Sequence, residues 1–370
     1  MEPQNHTLTP TGRKFVILWG VALVLLFTGL GVFAVTTVNH LRETSAARHI
    51  ARVDPYATEP GLTLADRTLP AGANPRKVTV GIYVDNIASI SILDSSWRPV
   101  FYIWFKWTGD DINPGETFSI GEGEILSKEK QNESVIGGEH YAQYLVRAQV
   151  TKFFDTSRFP LDDHLLTLVI EDGAKPWQEL EYVPDTTNSN ISSRVQMPGY
   201  LVYNTRLVVK PHTYKTNFGD PSMLVGSRAT YSQVIDGIWN ARSGLGPYFK
   251  VFLGLFAATL TTMLVFFIKP TNESRFGLGV GGFFGGIANI LLTGSLVPAS
   301  GILTLMDMVN AVGMITIFLT LVQSTISLYL YDHRGEVVLS RLFDRVSAVI
   351  FGVGFLMINI LIPLAGMVRR

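Results

Sequence analysis

ESRFGLGVGGFFGGIANILLTGSLVP (Glu273–Pro298) decides how the rest of this chain is read. It carries no charge between Phe276 and Pro298, about the run a helix needs to cross ~30 Å of hydrocarbon. Glycine fills too much of it for an ordinary lipid-facing helix. Gly277, Gly281 and Gly285 recur every four residues, as do Gly282 and Gly286, a spacing that lets helix backbones approach closely. Two readings follow: a packing helix inside a bundle, or a helix with one face lining a hole. The stripe Gly277, Gly281, Phe284, Ala288, Leu291 and Ser295 falls on one face at helical spacing and sets one large ring among small residues. Glu273 stands at one mouth of that stripe. In a ring of identical chains it would supply a ring of carboxylates, which favours cations.

Composition supports a membrane setting. Of 370 residues 47% are hydrophobic, and the mean hydropathy is +0.26. Thirty Lys and Arg balance thirty Asp and Glu, so no basic surplus points to nucleic acid. There is no cysteine, which excludes a disulfide framework, a thiolate metal site and a cysteine nucleophile.

Hydropathy predicts five membrane spans: Phe15–Val38, Tyr248–Ile268, Phe276–Val297, Ile302–Tyr331 and Val346–Val368. The first follows Arg13 and Lys14 like a signal peptide. Its apolar run is longer than the usual core of about 7–15 residues, so it is read as a retained anchor. Arg13 and Lys14, Lys269 and Arg275, and Arg334, Arg341 and Arg345 all fall on one side if every span crosses once, and that side is expected to be the cytoplasm. Only Arg369 and Arg370 conflict with this orientation.

Between the first and second spans the period changes. Residues 39–75 read as an extracytoplasmic linker, with room for a short helix near Leu41–Val53. Fully extended, they could reach about 120 Å at ~3.3 Å per residue, enough to climb to the far end of the domain that follows. The first span is expected to pack near the fifth. From Lys77 to Arg242 the pattern alternates with period two in β-formers: Val78–Leu93, Pro99–Trp107, Glu139–Phe154, His164–Glu171, Tyr200–Val209 and Ala229–Trp239, separated by Gly, Pro, Asn and Asp. Such strands predict an antiparallel sandwich. The domains expected are a cytoplasmic N-terminus (1–14), an anchor (15–38), the linker (39–75), an all-β domain (76–244) and a four-helix membrane domain (245–370).

The segment FDTSRFPLDDHLLTL (Phe154–Leu168) resembles the signature loop of pentameric ligand-gated ion channels, the Cys-loop receptor superfamily. The signature Asp falls on Asp155, and its aromatic-Pro-hydrophobic-Asp turn on Phe159, Pro160, Leu161 and Asp162. The two flanking cysteines of animal receptors are absent, as in the prokaryotic branch. Gly81-Ile82-Tyr83, Trp107, Arg242, Glu273, Val297-Pro298, Thr304 and Asp307 match in order. The resemblance covers roughly Val78–Val368, and the first span and linker lie outside it. It implies an immunoglobulin-like sandwich, a homopentamer in a bacterial plasma membrane, and a central pore for inorganic ions lined by residues 276–297. The β domain would gate that pore in response to a small-molecule or proton agonist. Phe284 would form a gate that works by dewetting, with Gly277 and Gly281 below it and Ala288 and Leu291 above. The family's Ser or Thr in the lower pore is Gly here, and Arg275 beside Glu273 would offset its charge. A non-conducting receptor that keeps the channel fold is the alternative.

The resemblance also places an agonist site between neighbouring subunits, boxed by aromatic rings that can hold a cation. Tyr102, Trp177, Tyr214 and Tyr231 are the candidates, each otherwise an ordinary aromatic of the sandwich. The family's Trp-x-Pro-Asp motif after the second strand is missing. Coupling is expected where the turn at Asp94–Ser96, the loop Asp155–Asp162 and Arg242 meet the membrane domain near Pro298. Asp307, a carboxylate inside a predicted span, is either functional or an interfacial residue one turn into its helix. Catalytic chemistry has little support. Adjacent strand residues Asp162, Asp163 and His164 point to opposite faces, and no HExxH, GxSxG or phosphate-cradling loop is present. No enzyme activity, cofactor or metal is expected.

Overall fold

The computed structural model describes residues 8–57, 68–221, 223–224 and 227–367. Part of the expected linker, Val368, Arg369 and Arg370 lie outside them. The described residues divide into two compact units. Residues up to Thr44, Asp155–Asp162 and those from Ser243 onward form one, and Ser45–Phe154 with Asp163–Arg242 form the other.

The first helix, α1 (Pro10–Arg52), is one unbroken run of 43 residues, of which the part up to Thr44 belongs to the helical unit. At 1.5 Å per residue it is about 65 Å long, twice a hydrocarbon core. The helix that contains the expected anchor therefore does not end at Val38. It continues into the first part of the stretch read as a linker, as far as Arg52, taking in the short helix expected near Leu41–Val53, because Glu43, Ala46, Ala47, Arg48 and Ala51 are good helix formers. Its buried positions, Val16, Gly20, Leu23, Phe27, Gly31, Ala34 and Val38, recur every three or four residues.

The other long helices are α3 (Gly246–Met263, extended by a 3₁₀ turn to Phe267), α4 (Ser274–Gly294), α5 (Leu305–Leu328, extended by a π turn to His333) and α6 (Val337–Gly366). With α1 they are five described helices long and apolar enough to cross a membrane. As expected, α1 packs along α6. Trp19 Nε1 donates to Ser347 Oγ at 3.0 Å, and the Phe27 and Phe351 rings meet edge-on at 5.7 Å. The last helix starts nine residues before the predicted Val346, taking in Arg341, Asp344 and Arg345.

The β unit holds two sheets. The first runs β4 (Gly123–Ile136), β5 (Glu139–Thr151), β2 (Ser96–Thr108), β1 (Arg76–Ser91) and β7 (Leu180–Pro184), with β8 (Asn190–Ile191) also on β1. The second runs β3 (Phe118–Gly121), β6 (Asp163–Asp172), β10 (Thr230–Arg242) and β9 (Tyr200–Thr213). A four-residue helix, α2 (Pro114–Thr117), precedes β3. The pairing is antiparallel except that β7 and β8 run parallel to β1, a departure from the expected all-antiparallel order.

Alternation sets the core. On β2, Trp97, Phe101, Ile103, Phe105 and Trp107 are buried in one cluster that also takes Leu166, Leu168 and Ile170 of β6 and Val234 and Ile238 of β10. The opposite face of the second sheet is covered by Val53, just beyond α1, which packs with Leu165, Val169, Val208, Ile235 and Trp239. Gly81 is required on β1 because a side chain there would collide with the indole of Trp104.

Candidate functional site

Helix α4 has two unlike faces. Arg275, Gly279, Gly282, Gly286, Asn289 and Thr293 are buried. Gly277, Gly281, Phe284, Ala288, Leu291 and Ser295 are all exposed, as is Glu273 at the helix N-cap. Phe284 is 65% exposed and Leu291 71%. The stripe expected from the sequence is thus the uncovered side of the helix within a single chain. The exposed arc is wider than the stripe, taking in Val280, Ile290 and Leu292. Phe283, one position on, is half-buried.

The glycines divide the same way. A Cβ at Gly279 would strike Leu321, at Gly282 the Thr262 hydroxyl, and at Gly286 the Met314 sulfur at 2.5 Å. At Gly277 and Gly281 it would meet nothing within 4 Å. The packing reading of the Gly-rich run therefore holds on one face, where Gly279, Gly282 and Gly286 bring α4 against α3 and α5, while Gly277 and Gly281 on the other face leave the backbone uncovered within the single chain.

Two polar stations fix the buried face. Near the helix start, Arg275 Nη2 and Nη1 donate to Asp344 Oδ1 and Oδ2 at 2.7 and 3.0 Å. Gln323 Nε2 donates to the same carboxylate at 2.7 Å, and Arg275 Nη1 also reaches the Ile268 carbonyl at 3.3 Å. Arg275 is fully buried. Its charge is met by Asp344, so it does not offset exposed Glu273, contrary to the expectation from their adjacency. Within the last two turns of the helix, Asn289 Nδ2 donates to Asn310 Oδ1 and Asn310 Nδ2 to Thr293 Oγ1, each at 3.0 Å. Sequence reasoning passed over both stations. Their signal was the presence of Asn289, Asn310 and Gln323 in apolar helices, where a polar side chain needs a partner. Buried Thr259, Thr316 and Thr320 satisfy themselves by donating to carbonyls four residues back.

Asp307 is a cap. Its backbone N–H donates to Thr304 Oγ1 at 3.2 Å, and its carboxylate accepts from the Thr304 N–H at 2.9 Å, closing a capping box at the start of α5. Asp307 thus lies in the first turn of its helix.

The signature loop belongs to the helical unit. Asp155 Oδ1 accepts from Ser157 N at 3.0 Å, and the Leu305 N–H donates to the Ser157 carbonyl at 2.8 Å. Buried Arg158 donates to the Gly366 carbonyl at 3.0 Å, and Arg42 donates to the Ala365 carbonyl at 2.9 Å. Phe159 is followed by cis Pro160, and Phe159, Leu161 and Asp162 are buried. The loop thus joins the start of α5 to the end of α6, which also accepts from Arg42 of α1; Pro298, in the α4–α5 connection, is exposed. In the β unit, Asp94 closes the β1–β2 turn by accepting from Ser91 Oγ at 2.7 Å, and the Arg242 guanidinium lies over the Tyr200 ring at 4.1 Å.

Three of the four aromatic candidates gather at one end of the second sheet. The Tyr214 and Tyr231 rings meet edge-on at 5.8 Å, and Trp177 N–H donates to the Thr230 carbonyl at 2.8 Å. Trp177 lines a cavity of about 420 Å³ with Pro176, Gln178, Thr213, Arg228 and Thr230. Tyr214 donates to Glu171 at 2.7 Å, and burial together with the Glu171 carboxylate pushes the Tyr231 hydroxyl above its ordinary pKa. Tyr102 is apart from them. It sits half-buried on the first sheet, opposite Tyr83 and Leu145, on the face of β2 turned from the core. No family model matches the chain, and no curated protein matches its sequence.

Proposed function

We propose that this protein is a pentameric ligand-gated-type ion channel. Five copies surround an axis lined by the exposed stripe of α4, and the β unit gates conduction. The observation that carries the reading is the exposure of Glu273, Gly277, Gly281, Phe284, Ala288, Leu291 and Ser295 together, opposite a face sealed by Arg275 and Asn289. Gly277 and Gly281 have no neighbour within 4 Å of an added Cβ, which leaves room on this face for a passage. Glu273, freed of Arg275, supplies the carboxylate ring of a cation-preferring mouth. Trp177, Tyr214 and Tyr231 offer one side of an agonist site and Tyr102, from a neighbouring subunit, the other. The β unit lies outside the cytoplasm of a bacterial plasma membrane. Counting subunits by native mass spectrometry tests the assembly: five chains of 40.8 kDa are expected, and a monomer or dimer contradicts it.

A further inference from the structure

We propose that a second cavity, at an edge of the β unit where β7 and β8 of one sheet face β9 of the other, binds a small organic cation bearing N–H donors, a protonated primary amine, with the Asp236 carboxylate as its counter-ion. The cavity holds about 450 Å³ and is lined by Thr186 and Asn190 on one side and by Thr205, Leu207 and Asp236 on the other. That volume is in the range of small-molecule sites.

Asp236 is the anomaly that points to a ligand. It occupies a core position of β10 between inward-facing Val234 and Ile238, paired through its backbone with Leu168 and Leu207. It is 7% exposed, and no described residue supplies a hydrogen bond or an ion pair to its carboxyl group. A carboxylate buried without a partner is costly, and burial pushes this one up to about 7. Arg206, the other charged residue lining the cavity among the described residues, is exposed on the opposite side of its strand, so solvent screens it. One carboxylate among hydroxyls and apolar walls does not make a site for a hard metal ion, which takes six or so oxygen ligands. It suits an ammonium group that pairs with Asp236, donates to Thr205 or Asn190, and lays its carbon chain on Leu207.

This site is separate from the aromatic cluster and does not depend on the channel reading, so binding is measured on the purified full chain without any current. The probes are n-butylammonium and neutral 1-butanol, followed by saturation-transfer NMR in nanodiscs. Saturable binding of n-butylammonium is expected at pH 8. It should weaken at least tenfold in Asp236→Asn, and about tenfold per pH unit below 7, because only the ionised carboxylate binds a cation. Thr205→Trp, which fills the cavity and leaves the carboxyl in place, should abolish it. Arg206→Gln should leave it equal or tighter. The proposal is overturned if folded wild type does not bind at pH 8, if 1-butanol binds as well, or if Thr205→Trp binds normally. It is equally overturned if a folded Asp236→Asn keeps full affinity.

Discussion

The Arg275 guanidinium and the Asp344 carboxylate form a buried two-pronged ion pair, at 2.7 and 3.0 Å, that ties α4 to α6 across 69 residues of sequence. Gln323 of α5 completes it, so one cluster holds three helices by the start of the proposed pore helix.

Removing one partner leaves the other charged and buried, at a cost of about 3–5 kcal/mol. Arg275→Ala and Asp344→Ala should each sharply lower the melting temperature in detergent. The double replacement Arg275→Met with Asp344→Leu should recover most of that loss, because no unpaired charge remains. A double variant as unstable as the sum of the two singles would contradict this.

Two adjacent glycines should respond with opposite signs. Gly282→Ala drives a methyl into the Thr262 hydroxyl and to 3.0 Å from the Ala258 carbonyl, an overpacking cost of about 1–3 kcal/mol. Gly281→Ala meets nothing and gains roughly 0.8–1.0 kcal/mol of helix propensity. Thermal unfolding of the two variants side by side checks the assignment of the faces.

Most of this architecture was legible in the sequence, and the failures have physical causes. Apolar runs marked the five long helices, and alternation on β2 and β10 marked core strands. The stripe from Gly277 to Ser295 was readable because its spacing is helical. Strand β4 escaped because it is an edge strand of Glu, Lys, Ser and Asn, mostly exposed, with no apolar period to detect. A helix near Leu41–Val53 was expected, but its fusion with the first span into one run ending at Arg52 was not, because hydropathy falls at Val38 while helix propensity does not. Asp344 lay outside the predicted last span, so its pairing with Arg275 could not be inferred from local pattern. Asp236 sits at an inward position where alternation predicts an apolar side chain.

Asp236 should also make stability depend on pH. Its folded pKa of about 7 lies above the ordinary 3.8, so the folded state holds its proton more tightly than the unfolded chain. Stability from this group is therefore greatest below pH 4, falls as the pH rises toward 7, and is level above that. Asp236→Asn should match wild type near pH 4 and exceed it at pH 8 by up to roughly 4 kcal/mol. Denaturant unfolding of the β unit's signal at pH 5 and pH 8 reads the difference; a pH-independent gap would contradict the assignment.

The proposed pore has one bulky ring at its centre, Phe284, flanked by Gly281 and Ala288 on the exposed stripe. Recording from purified protein in planar bilayers tests the channel reading most directly. Wild type should carry current with a cation preference that Glu273→Gln reduces without opening the gate. Phe284→Ala, which widens the driest level, should raise basal open probability, and Phe283→Ala should chiefly lower stability. Silence from wild type, Phe284→Ala and Glu273→Gln alike, with pentamers confirmed in the bilayer, would contradict conduction and favour a non-conducting receptor of the same build.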